Sequence, residues 1–287
     1  MHFRARSVRS HTMPYLHPMT APRTAEARPT RHLTVAALIA LVVVYLAVIQ
    51  GIGWLMSRGL DAQYAAPTTI DELWRGMTFS IALSVVLVYA VVVYLRWWRP
   101  VWVDDRPVQR WLIVVPILML VSILVVTDYS GLAAHGIAFT ALLLLTCLLV
   151  GLGEETMFRG IAVTCFRTNN FSEGKVALWS TVIFGVAHAS NIIAEGPKAF
   201  IQVVATIIAG YFFYIVRRRT RGLLVPVILH GLWDFSLISG QTTPGESHPI
   251  AVLAIVTMVV LAIILVIRRH HIEPADRAAV DGTPAVD

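Results

Sequence analysis

The sequence predicts an all-α protein, a polytopic membrane helix bundle of about eight transmembrane helices. Three observations carry this. Of 287 residues, 57% are hydrophobic and 14% charged, with a mean hydropathy of +0.71, whereas a soluble domain is roughly half apolar and a quarter charged. A spanning helix needs about 20 mostly apolar residues, and eight stretches qualify. Finally, arginines gather just outside these stretches on alternate sides. A β-barrel would instead show short alternating segments.

In chain order, residues 1–32 are polar and arginine-rich with a single acid, Glu26. They lack an apolar run of their own, so they read as a disordered basic cytoplasmic tail near anionic lipid, not as a cleaved signal. Met13 and Met19 leave the true start open. The membrane domain is expected over 33–271, with spans at roughly 33–56, 76–95, 111–127, 136–162, 175–193, 199–216, 222–240 and 249–267. Trp54, Trp74, Trp97, Trp98, Trp102 and Trp111 lie near span ends and read as interfacial anchors. Residues 272–287, IEPADRAAVDGTPAVD, have the composition of a disordered C-terminal tail. No internal repeat is visible.

The net charge of +6 reflects this placement of arginine and carries no nucleic-acid signal. Arg96, Arg99, Arg106 and Arg110 separate spans two and three; Arg217, Arg218, Arg219 and Arg221 separate six and seven; Arg268 and Arg269 follow eight. In the other loops Arg58 and Arg75 are offset by Asp61, Asp71 and Glu72, and Lys198 by Glu195. By the positive-inside rule both termini lie in the cytoplasm. The 21 arginines against two lysines hint at a GC-rich bacterial genome, hence at a bacterial cell membrane. Cys147 and Cys165 fall about 27 Å apart on one helix at 1.5 Å per residue, too far for a disulfide.

Charge inside the spans is confined to the fourth, fifth and seventh. Spans one, two, three and eight hold no ionisable side chain in their interiors. Span four holds Glu154, Glu155 and Arg159 in GLGEETMFRG; span five holds His188 in FGVAH; span seven holds His230 and Asp234 in HGLWD. Such groups are rare in lipid and mark function by default. Glu155 and Arg159 stand at i and i+4, acid first, the favourable order for an ion pair. Glu154 is rotated about 100° away. Arg159 is therefore expected to neutralise Glu155 while Glu154 faces a cavity, where a low-dielectric setting suits it to general-base work. Asp234, one turn from His230, could accept its ring N–H and fix the tautomer; alternatively both point into the cavity and hold a metal or a substrate oxygen. Counting residues along each span places Glu154, His188 and His230 in one layer of the cytoplasmic half. Taken singly, each group could be a packing or stapling residue; taken together, on consecutive helices, they point to one site.

These motifs, Glu-Glu-x-x-x-Arg at 154–159, Phe-x-x-x-His at 184–188 and His-x-x-x-Asp at 230–234, resemble the CPBP family of intramembrane proteases. That group includes the type II CAAX prenyl endopeptidases and the bacterial Abi proteins. The likeness covers a core of about 136–240, spans four to seven, and leaves spans one to three unexplained. It implies a membrane protease with a catalytic cavity open to the cytoplasm. Glu154 would activate water, with Glu155 and Arg159 its supporting pair and His188 and His230 its two histidines. Asp234 stands where many CAAX proteases carry asparagine, although aspartate occurs among bacterial members. An amide donates to an oxyanion and an ionised aspartate does not, so oxyanion stabilisation would move to a histidine or a metal.

The family is commonly labelled metalloprotease. Glu154, His188 and His230 could ligate zinc or another divalent metal with one open position, but the spacing is not His-Glu-x-x-His and establishes no metal. The expected activity is hydrolysis of a peptide bond in a membrane-associated protein or peptide. The alternatives are a non-catalytic membrane binding or immunity protein of the same fold, and a proton-coupled transporter, whose paired halves are not seen.

Overall fold

A computed structural model describes residues 31–60, 66–106, 108–243, 249–268 and 272. The N-terminal tail and nearly all of the C-terminal one lie outside the described residues. Among those described, eight long helices follow the predicted order. They are α1 (Val35–Met56), α2 (Ile70–Leu95), α3 (Arg110–Val126), α4 (Tyr129–Thr168), α5 (Glu173–Ala187), α6 (Ala199–Thr220), α7 (Leu224–Ser239) and α8 (Val252–Ile267). Four of them, α1, α2, α4 and α6, are long and apolar enough to cross a membrane. The other four are shorter, so spanning length is established for four helices and not for all eight. No strand forms among the described residues; one isolated antiparallel bridge joins Val103 to Gly222.

Local chemistry sets several helix ends. Thr34 caps α1, its hydroxyl accepting from the Ala37 N–H at 3.2 Å. Asp128 caps α4 by accepting from the Gly131 N–H at 3.0 Å. That helix begins seven residues before the predicted 136, because the chain breaks at Gly136 (φ 81, ψ 170) and then resumes. Such a φ costs a glycine nothing. Beyond the break α4 runs through Glu154 into a π-helical stretch, Glu155–Ala162, and ends at Thr168.

Close backbone packing positions the site. A Cβ at Gly151 of α4 would lie 2.4 Å from the Val227 carbonyl oxygen of α7, and one at Gly231 of α7 would lie 2.8 Å from the Cys147 carbonyl oxygen. Between membrane helices small residues permit this approach, and packing drives association. The crossing brings His230 against Glu154 and Glu155. Around it Phe158, Phe184 and Phe213 are fully buried. Trp97, read as an interfacial anchor, is also fully buried; its indole N–H donates to the Arg31 carbonyl at 3.0 Å. Both cysteines are free and buried.

One end of the bundle carries a buried ionic network. Asp104, in the loop after the short helix Trp98–Trp102, lies 2.9 Å from Arg167 and 3.2 Å from Arg217. Glu173 at the start of α5 meets Arg106, Arg167 and Arg218. Arg217 donates on to the Arg159 and Pro100 carbonyls, which ties the network to the π-helical part of α4.

Candidate active site

The structure brings together five of the six side chains singled out in the sequence and sets the sixth, His188, beside them. Glu155 and Arg159 pair at 2.9 Å with both side chains wholly buried. The guanidinium lies 3.9 Å above the Phe184 ring and 5.4 Å from Phe213, and none of its N–H groups is aligned as a hydrogen bond. Charge and aromatic faces hold it. His230 stacks on Phe213, with ring centroids 4.5 Å apart, and its Nδ1 lies 2.7 Å from Glu155 Oε1. Since a carboxylate paired to arginine only accepts, Nδ1 carries the proton. His188 likewise places Nδ1 2.9 Å from the Phe184 carbonyl and must donate there.

Two expectations change. The His230 Nδ1–H donates to Glu155 and not to Asp234, because the α4–α7 crossing delivers a carboxylate to that side of the ring, and of the two placements open for Asp234 the structure shows the one that lines the cavity. Asp234 lies 3.6 Å from Nε2, as does Glu154 Oε2. The second change concerns the direction of the cavity, about 250 Å³ in volume, on which Glu154, His188 and Asp234 open. It extends from these residues to Ser190, Gln202 and Gln241, which lie at the ends of α5, α6 and α7 remote from Arg217 to Arg221. Toward the arginine-rich end, Met157, Phe158, Arg159 and Ile161 seal its floor, none more than 1% exposed. A cytoplasmic arginine-rich end and a cavity open to the cytoplasm therefore do not hold together.

Glu154 differs sharply from its neighbour. Its side chain is 14% exposed and lines the cavity, whereas that of Glu155 is wholly buried. Sequence reasoning missed the opposite wall, where Gln50 from α1 donates to Asn191 Oδ1 at 2.8 Å and Ser190 Oγ at 3.0 Å. Asn191 donates in turn to Gln202 Oε1 at 2.8 Å. The available signal was a glutamine inside the otherwise apolar run YLAVIQGIGWL.

For a metal, the donor chemistry and the positions disagree. Each histidine commits Nδ1 to a hydrogen bond and leaves Nε2 available, as metal-bound histidines do. Yet among the described residues no three His, Cys, Asp or Glu side chains converge as a ligand set. The positions decide the fit.

Residues 136–236 match the family model for Type II CAAX prenyl endopeptidase Rce1-like, a likeness that covers roughly a third of the chain and includes all six of these site residues. No curated protein and no solved structure matches the chain.

Proposed function

We propose that the protein is an intramembrane endopeptidase that cleaves a membrane-associated protein or peptide with water activated by Glu154. One observation carries the reading: of two adjacent glutamates, Glu155 is wholly buried and committed to Arg159 and His230, while Glu154 is partly exposed and its side chain lines the cavity. A base needs a free lone pair within reach of its proton donor.

In the proposed cycle, Glu154 takes a proton from water as the oxygen attacks the scissile carbonyl carbon. The resulting oxyanion is met by the Nε2–H of a protonated His230. Three carboxylates, Glu154, Glu155 and Asp234, face one guanidinium there, so an imidazolium lowers the net charge of the set. Collapse of the tetrahedral intermediate breaks the C–N bond, and protonated Glu154 returns its proton to the leaving amine. Glu155 and Arg159 fix the ring of His230 and touch no reacting atom. Oxyanion stabilisation of this kind is usually the largest catalytic contribution. The arginine distribution supports a bacterial cell membrane with both termini cytoplasmic.

The test is cleavage of a peptide library by detergent-purified protein beside Glu154→Gln, with metal content measured on the same samples. The expected loss is about 10²–10⁴-fold, the usual worth of a general base. Equal cleavage by both removes Glu154 as the base, and no cleavage by either favours a binding or immunity role. Stoichiometric zinc that is lost from His188→Ala and His230→Ala would bring back the ligand-set alternative.

A further inference from the structure

The arginine-rich end and the mouth of the cavity lie at opposite ends of the bundle. Helix α6 has 22 residues, about 33 Å at 1.5 Å per residue, enough to cross a hydrocarbon core of about 30 Å. Gln202 sits in its first turn and lines the cavity; Arg217 sits in its last turn, inside the ionic network. The two are about 22 Å apart along the axis. Helices α5 and α7 repeat the arrangement: Glu173 and Leu224 start at the arginine-rich end, and Ser190 and Gln241 line the cavity beyond the far ends. By sequence, the loops at the mouth carry little positive charge, with Arg58 and Arg75 offset by Asp61, Asp71 and Glu72 and Lys198 by Glu195, whereas the other end carries Arg96, Arg99, Arg106, Arg110, Arg217, Arg218, Arg219 and Arg221. Lys/Arg bias in short loops sets membrane orientation.

We propose that the site opens to the non-cytoplasmic face of the membrane and takes an extended polypeptide segment presented there. The second half of this rests on the protease reading. The mouth has the chemistry for such a ligand. In the Gln50–Asn191–Gln202 chain, the hydrogen bonds use the Gln50 nitrogen and the Gln202 oxygen. An acceptor on Gln50 and a donor on Gln202 are left to pair with the alternating C=O and N–H groups of an extended backbone. A free C-terminal carboxylate suits the site poorly, because Glu154 and Asp234 line it and the Arg159 guanidinium lies behind Glu155, wholly buried. The substrate class is therefore an internal, uncharged stretch of a secreted or membrane-anchored polypeptide on the outer side.

The first arm of the test needs no turnover. Gln241→Cys at the mouth and Lys175→Cys at the arginine-rich end, both exposed positions, are made in the full chain and treated with a membrane-impermeant maleimide in right-side-out vesicles. The two native cysteines are buried, and the unsubstituted protein sets the background. The expected result is labelling of Gln241→Cys in intact vesicles at least about 10-fold above Lys175→Cys, which labels only after detergent. The reverse pattern overturns the proposal. In the second arm, an impermeant quenched-fluorescent peptide that the wild type cuts in detergent is added outside the vesicles. Cleavage by right-side-out and not inside-out vesicles supports the substrate assignment, and cleavage by inside-out vesicles alone overturns it. Absence of cleavage in detergent instead counts against the protease reading, while labelling still decides the orientation.

Discussion

Glu154 and Glu155 are chemically identical, and their neighbours assign them different work. Glu155 is wholly buried and holds both Arg159 and the ring of His230. Removing Arg159 would leave that carboxylate without a counter-charge in a low-dielectric interior. Breaking a buried pair on one side typically costs about 3–5 kcal/mol, so Arg159→Met should lower the thermal midpoint in detergent markedly. Adding Glu155→Gln should recover part of the loss, because the orphaned charge goes with it. Additive losses in the double variant would count against the pair. The i, i+4 spacing made this pairing legible in the sequence. The Glu155–His230 bond was not legible, since it joins residues 75 positions apart and depends on a crossing that no local pattern encodes. Asp234, the nearer acid in sequence, was the natural assignment for that ring, and it lost to geometry.

That crossing is made by Gly151 and Gly231, and it controls where the catalytic candidates meet. Alanine at 151 would set its Cβ 2.4 Å from a backbone oxygen and 2.8 Å from the Gly231 nitrogen. Backbone cannot swing aside as a side chain can, so α4 and α7 must separate. Overpacking typically costs about 1–3 kcal/mol. Activity should fall further than stability, because separation draws His230 away from Glu154. Gly153→Ala is the control: its new Cβ would approach the Tyr45 hydroxyl at 3.0 Å and a Val85 methyl at 3.2 Å, both side-chain atoms able to yield. Parallel cleavage and thermal-shift measurements check this, and equal effects from the two alanines would refute it. The sequence showed glycines crowding this helix but not which face they serve. Nor could hydrophobic periodicity reveal the π-helical stretch at Glu155–Ala162, whose changed register is a feature common at functional sites. The order of the eight long helices, by contrast, was readable from apolar runs alone.

Across the whole molecule, the arginine-rich end serves two purposes: its charge supports the inferred orientation, and its buried network braces the floor of the site. Asp104 sits where burial would raise its pKa, yet Arg167, Arg217 and Arg218 hold its carboxyl below the ordinary value. Burial likewise opposes ionisation of Glu173, but hydrogen bonds and charge from Arg167, the Tyr214 hydroxyl and Arg218 bring it down to about 2. A carboxylate depressed from about 4.5 to about 2 stabilises the folded protein fully above the higher value. That contribution is lost as pH falls toward the lower one. Thermal midpoints measured from about pH 6 to pH 3 should therefore drop for the wild type below about 4.5. Glu173→Gln should start lower and show a shallower decline, having no such carboxylate left to protonate. Because Arg217 links Asp104 to the Arg159 carbonyl, Asp104→Asn should impair cleavage as well as stability, although it lies outside the cavity. Wild-type and Glu173→Gln curves that fall in parallel would mean that the acid-labile charge lies elsewhere and that Glu173 does not anchor this end.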